Sequence, residues 1–151
     1  MSLPQTALLA ILLACPPAGG LPAMAKERPV YVENGYAIGG YDAVAYFFFG
    51  KAMKGSPEHA LIWRGATWLF VSEDTMLAFE MDPQAYAPQF GGYCAYGVAQ
   101  GKLVRTNPEL FTIVDGRLYL SRDRAAQAAW DADAEAHATV AQDNWPAVLG
   151  R

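Results

Sequence analysis

Cysteine is scarce in this chain: its 151 residues hold two, Cys15 and Cys94. Histidine is as rare, with only His59 and His137, and neither C-x-x-C nor H-x-x-H spacing occurs. A closed structural zinc site takes four Cys or His ligands and is therefore not expected in the monomer. Charge is sparse too, at 17% of residues, and the net value of −4 comes without a basic stripe. That composition argues against holding phosphate backbones, so no nucleic-acid partner is expected. No apolar run reaches the roughly 20 residues a transmembrane helix needs. Paired catalytic carboxylates in a recognisable motif, a Ser/His/Asp signature, a phosphate-cradling glycine loop and a flavin or nicotinamide fingerprint are all missing, which leaves a hydrolase or nucleotide enzyme unsupported. Between residues 30 and 149 no internal repeat, low-complexity tract or linker is legible.

What the chain does have is apolar side chains, 53% of the total, enough for a packed core. The apolar stretch Ala7 to Cys15 is followed by Pro16, Pro17, Gly19, Gly20 and Pro22, then by Ala23-Met24-Ala25 directly before the first charged residues. This is the layout of a signal peptide over residues 1–25, with an exported domain, periplasmic or secreted, over 26–151. Leu12-Leu13-Ala14-Cys15 also resembles a lipobox, so the alternative is a lipoprotein anchored through Cys15. Removal of the signal leaves Cys94 as a lone thiol in an oxidising compartment, either buried and inert or exposed and in use.

Turn chemistry divides the remainder. Asn34-Gly35, Arg64-Gly65 and Asp115-Gly116 each sit between short runs rich in aromatic and β-branched residues, which predicts three hairpins. Asp42 is placed to cap a short helix through Phe47, and Ser72 to cap one carrying Met76, Leu77 and Phe79 on its apolar face. Asp82-Pro83 ends that helix. The Ala-rich stretch from Arg122 to about Gln142 predicts one long C-terminal helix anchored by Trp130. The expected class is α+β: a small antiparallel sheet built from hairpins, with helices packed on it.

Four segments carry a family likeness: Gly39-Gly40-Tyr41-Asp42-Ala43-Val44-Ala45-Tyr46-Phe47, Trp63 through Ser72, Asp82 through Ala95 with Gly91-Gly92-Tyr93-Cys94, and Asp115 through Leu120. They resemble the exported bacterial YHS-domain proteins, over about Gly39 to Trp145. The resemblance implies a small α+β domain related to modules of some metal-transporting ATPases, hence metal binding, and relatives with selenocysteine at the Cys94 position. His59 and Ser72 look like the histidine and serine of the family triplet. Ala43 stands where a proline is usual and Ser121 where an asparagine is usual.

Cys94 is the principal candidate, because it follows two glycines near an expected helix start, where amide groups favour a thiolate. Its plain alternative is a buried cysteine between Tyr93 and Tyr96. His59 precedes a strand and is the expected partner, for a copper or zinc site completed by a carboxylate such as Asp42 or shared across a dimer, or for thiol activation. Its alternative is a strand-edge histidine, that of Asp42 is a helix cap, and His137 reads as a solvated helix residue. Tyr41, Tyr46, Tyr86, Tyr93, Tyr96, Trp63 and Trp68 are read as core ahead of a pocket lining. The leading functional expectation is a soft-metal binding module using Cys94 and His59. A redox thiol at Cys94 served by an external reductant comes second, and a non-catalytic domain that binds a partner protein comes third.

Overall fold

The computed structural model describes residues 29–150; the predicted signal segment, Cys15 and the start at Lys26 fall outside them. The three expected hairpins are present: β1 (Val32–Glu33) with β2 (Tyr36–Ala37), β3 (Ser56–Trp63) with β4 (Ala66–Phe70), and β5 (Asn107–Val114) with β6 (Arg117–Ser121). Each turns on two residues of positive φ, at 53° and 86° for Asn34 and Gly35, 49° and 73° for Arg64 and Gly65, and 50° and 70° for Asp115 and Gly116. That is the type I′ geometry, whose twist matches the flanking strands.

The class is mixed α+β, with six α-helices among the described residues: α1 (Ala45–Phe48), α2 (Glu73–Met81), α3 (Pro83–Tyr86), α4 (Ala95–Ala99), α5 (Arg124–Ala132) and α6 (Ala134–Asn144). Two expectations are corrected. The hairpins remain three separate two-stranded pairs and do not merge into one sheet. Both long hairpins break register at their outer end, between Ser56 and Ala60 and between Asn107 and Phe111. Pro57 and Pro108 fall in these breaks, where a missing N–H costs no ladder bond, and such irregularities bend a strand away from further pairing. The long C-terminal helix is in fact two. Asp133 leaves the helical basin at φ −157° and ψ 69°, and its carboxylate accepts the Ala136 amide at 3.2 Å, ending α5 and starting α6.

A third correction concerns repetition, because the fold is duplicated. Every boundary of the β3-β4-α2-α3 start recurs fifty-one residues later: Ser56 and Asn107 open the hairpins, Phe70 and Ser121 close them, Glu73 and Arg124 begin a helix, and Met81 and Ala132 end it. The register breaks coincide in the same way. Ser72 and Asp123 are the matching N-caps, accepting the amides of Thr75 and Ala126. Asp82 and Asp133, both outside the helical basin, cap the helices that follow.

The likeness extends upstream with one residue more between the copies, where Gly39-Gly40-Tyr41-Asp42-Ala43 corresponds to Gly91-Gly92-Tyr93-Cys94-Ala95. Ile38, Gly39 and Gly40 have φ of 44°, 66° and 81°; Phe90, Gly91 and Gly92 have 55°, 64° and 86°. A non-glycine residue at positive φ costs about 1–3 kcal/mol. Burial of Ile38 and Phe90 in the core offsets it. Gly91 also has no room for a side chain, since a Cβ there would run into the Pro29 carbonyl.

Two core clusters form, one centred on the first repeat but taking in Leu118 and Leu120 of β6, and one within the second. Trp68, Tyr46, Phe70 and Phe79 are the largest buried side chains of the first, and Tyr119 and Trp130 of the second. The ring pair Trp68–Phe79, with centroids 5.1 Å apart, corresponds to Tyr119–Trp130 at 4.8 Å. Complete burial of one such side chain contributes about 2–3 kcal/mol.

Candidate functional site

The duplication places Asp42 and Cys94 at equivalent positions, and the two sites are best built side by side. Each follows a Gly-Gly-Tyr turn. Each donates its own amide to a carbonyl in the segment leading to the long hairpin, Asp42 to Met53 at 2.9 Å and Cys94 to Val104 at 3.0 Å. Each is buried, with 0% and 1% exposure.

In the first repeat a carboxylate fills the site. Asp42 Oδ1 accepts the amides of Val44 at 2.8 Å and Ala45 at 3.2 Å, while Oδ2 accepts that of Val71 at 2.9 Å, just past β4. A buried carboxylate needs such partners, and these three tie the start of α1 to the end of the hairpin. Asp42 is thus a helix cap and more, and its oxygens are committed to the backbone. Tyr46 packs beside it and donates to the Pro108 carbonyl at 2.8 Å, a bond between the repeats. Burial, followed by the charges of Tyr41 and Asp42, pushes the Tyr46 phenol far above the ordinary tyrosine range.

In the second repeat the carboxylate is replaced by the Cys94 thiol, the single free cysteine of the described residues. The counterparts of Val44, Ala45 and Val71 are Tyr96, Gly97 and Arg122. All three line a cavity of about 210 Å3 at Cys94, with Gln100, Lys102, Val104 and Ala126. Among the described residues their amides have no acceptor outside their own elements. Lys102 and Arg122, both exposed, are among its lining residues. Arg122 also bonds Asp123 through Nε at 2.8 Å and lines a neighbouring groove with Lys54 and Arg105.

His59 lies in the irregular outer part of β3 and is not among the residues around the Cys94 cavity. The expected set Cys94, His59 and Asp42 is therefore not brought to one cavity, and no group of three His, Cys, Asp or Glu with metal-binding spacing occurs among the described residues. Asp42 has both side-chain oxygens on backbone amides. His137 differs from expectation as well. It is half-buried against Tyr96, with centroids 5.4 Å apart, and Trp130, at 6.0 Å, because the break at Asp133 turns α6 back onto α4 and α5. Tyr46 and Trp68 are core, as expected, while Tyr96 is also part of the thiol cavity.

Sequence reasoning missed Lys102 and Arg122. The legible signal was the recurrence of Gly-Gly-Tyr-x-Ala, with aspartate at x in one copy and cysteine in the other. Comparison with known proteins gives no match for the chain, whether to a family model, a curated protein or a solved structure. Among the described residues no helix is long and apolar enough to cross a membrane.

Proposed function

We propose that this is an exported thiol redox protein with Cys94 as its reacting group. The observation that carries the reading is a lone thiol opening on a small cavity walled by Lys102 and Arg122. Cations at that place attract anionic reagents and hold the negative charge that develops on a leaving oxygen or sulfur. The chemistry follows from the cysteine count. The Cys94 sulfur attacks one oxygen of a hydroperoxide, the O–O bond breaks, and the departing oxygen takes the thiol proton to leave as water or alcohol. The product is a sulfenic acid. An external thiol then condenses with it to a mixed disulfide, releasing water, and a second external thiol frees Cys94 as the two reductant sulfurs join.

Residues 26–151, prepared reduced and given one equivalent of hydroperoxide, are expected to consume it through Cys94, and Cys94→Ala to leave it unconsumed. A native thiol inert to hydroperoxide and to a small alkylating reagent would sink the reading and leave a partner-binding domain with a buried cysteine. The competing proposal, soft-metal binding through Cys94 and His59, draws on the lone exported thiol and the YHS resemblance. Near-stoichiometric copper or zinc in protein purified without chelator, lost in Cys94→Ala, would put that proposal first.

A further inference from the structure

We infer that the Cys94 cavity is an oxyanion cradle and a built modification site, in which Cys94 oxidised to its sulfinate takes the place that the Asp42 carboxylate fills in the first repeat. The inference rests on the thiol-redox reading for the source of the oxidised sulfur. Its geometry rests on the duplication alone.

A cysteine sulfinate and an aspartate have the same outline: one methylene carrying a centre with two oxygens that share a negative charge. At Asp42 those two oxygens are held by the amides of Val44, Ala45 and Val71. At Cys94 the same backbone path, with the same run of three positive φ values before it, brings Tyr96, Gly97 and Arg122 to the cavity wall. A thiol is a weak acceptor and cannot serve three donors. The space the carboxylate would fill persists as a cavity of about 210 Å3. Two added oxygens fit easily, since one water occupies about 30 Å3. Of the two cationic residues lining the cavity, Lys102 has Lys51 as its counterpart in the first repeat, whereas Arg122 stands where the first repeat has Val71.

The atoms balance with hydroperoxide as the only oxidant. The first equivalent converts the thiol to the sulfenic acid and water. In the second step the sulfenate sulfur attacks another peroxide oxygen, the O–O bond breaks, and water leaves, giving the sulfinic acid. That acid ionises to the sulfinate. Each step removes two electrons from sulfur and adds two to peroxide. Oxidation at a buried cysteine ordinarily strains a core, because polar oxygens lose water without gaining partners. Here it supplies acceptors to donors that lack them, so oxidation tightens the second repeat.

The test pairs oxidation with substitution on residues 26–151. Protein treated with hydroperoxide until mass spectrometry finds two added oxygens on Cys94 should melt about 3–6 °C above the reduced form. Cys94→Asp, which places a carboxylate there permanently, should melt at or above wild type and above Cys94→Ser. Val98→Asp, equally buried but without the cradle, should unfold the protein. A lower Tm for both the sulfinate form and Cys94→Asp would overturn the cradle while leaving thiol chemistry standing. Failure of Cys94 to take up oxygen, with Cys94→Asp still stable, would uphold the cradle and reject the redox reading.

Discussion

The two repeats trace one backbone path but differ in how completely their polar groups are used. Around Asp42 every carboxylate oxygen is bound, and Trp68 donates its indole N–H to the Trp63 carbonyl at 3.1 Å. Around Cys94 a thiol replaces the carboxylate and a cavity replaces the hydrogen bonds, and in the same repeat the buried Trp130 Nε1 has no partner among the described residues. Saturation marks the first repeat as scaffold. The second repeat, with fewer of its polar groups bonded and a thiol at the matching position, is where the proposed thiol chemistry has room. A duplicated fold thus carries its own control: one copy shows what the other copy's pocket is shaped to hold.

The comparison breaks most violently in the cores. Phe79→Ala and Trp130→Ala remove equivalent side chains that are fully buried, and each is expected to cost about 3–5 kcal/mol in denaturant unfolding. A much smaller loss at Trp130 would mean that the second core is looser than its burial implies. Next, Asp42→Ala and Asp42→Cys should each cost about 2–4 kcal/mol, because three buried amides lose their acceptor. The second of these copies the Cys94 arrangement into the first repeat, and if it were neutral, amide saturation would not be what separates the two sites. A finer contrast uses the indoles. Trp68→Phe loses a hydrogen bond and should cost about 1 kcal/mol more than Trp130→Phe, where the removed N–H has no partner.

The smallest effects lie at the matched caps. Ser72→Ala should cost about 1 kcal/mol, independent of pH, in thermal unfolding. Asp123 titrates: the Ala126 amide, then the Arg122 guanidinium, hold its carboxyl below the usual carboxylate range. Its folded value is lowered, so its contribution is fully present above about pH 4, the unfolded value, and fades as pH falls through the folded one. Asp123→Asn should therefore flatten the acid side of the Tm-against-pH curve, and an unchanged slope would remove Asp123 from the explanation.

Much of the fold was legible in local chemistry. Asn34-Gly35 and Asp115-Gly116 announce their turns, Ser72 and Asp42 announce their caps, and Cys94 stands out as the thiol left after the predicted cleavage. The break at Asp133 was not legible, since neither glycine nor proline marks it. The duplication escaped notice for a similar reason. Its identities, among them Gly-Gly-Tyr-x-Ala, Pro57 and Pro108, Glu58 and Glu109, Ile62 and Ile113, Gly65 and Gly116, Leu69 and Leu120, and Asp82 and Asp133, are scattered in short groups, and the offset shifts by one residue between them. Burial pattern and register persist where identity does not, because many side chains satisfy one backbone path.

By itself, then, the amino-acid sequence determined the hairpins, the caps and the α+β class, since those depend on residues within a few positions of one another. Tertiary structure decided that the hairpins stay apart, that Asp42 reaches Val71, and that Lys102 and Arg122, and not His59, line the Cys94 cavity. Those outcomes depend on groups tens of residues apart, which meet only when the two cores close around them.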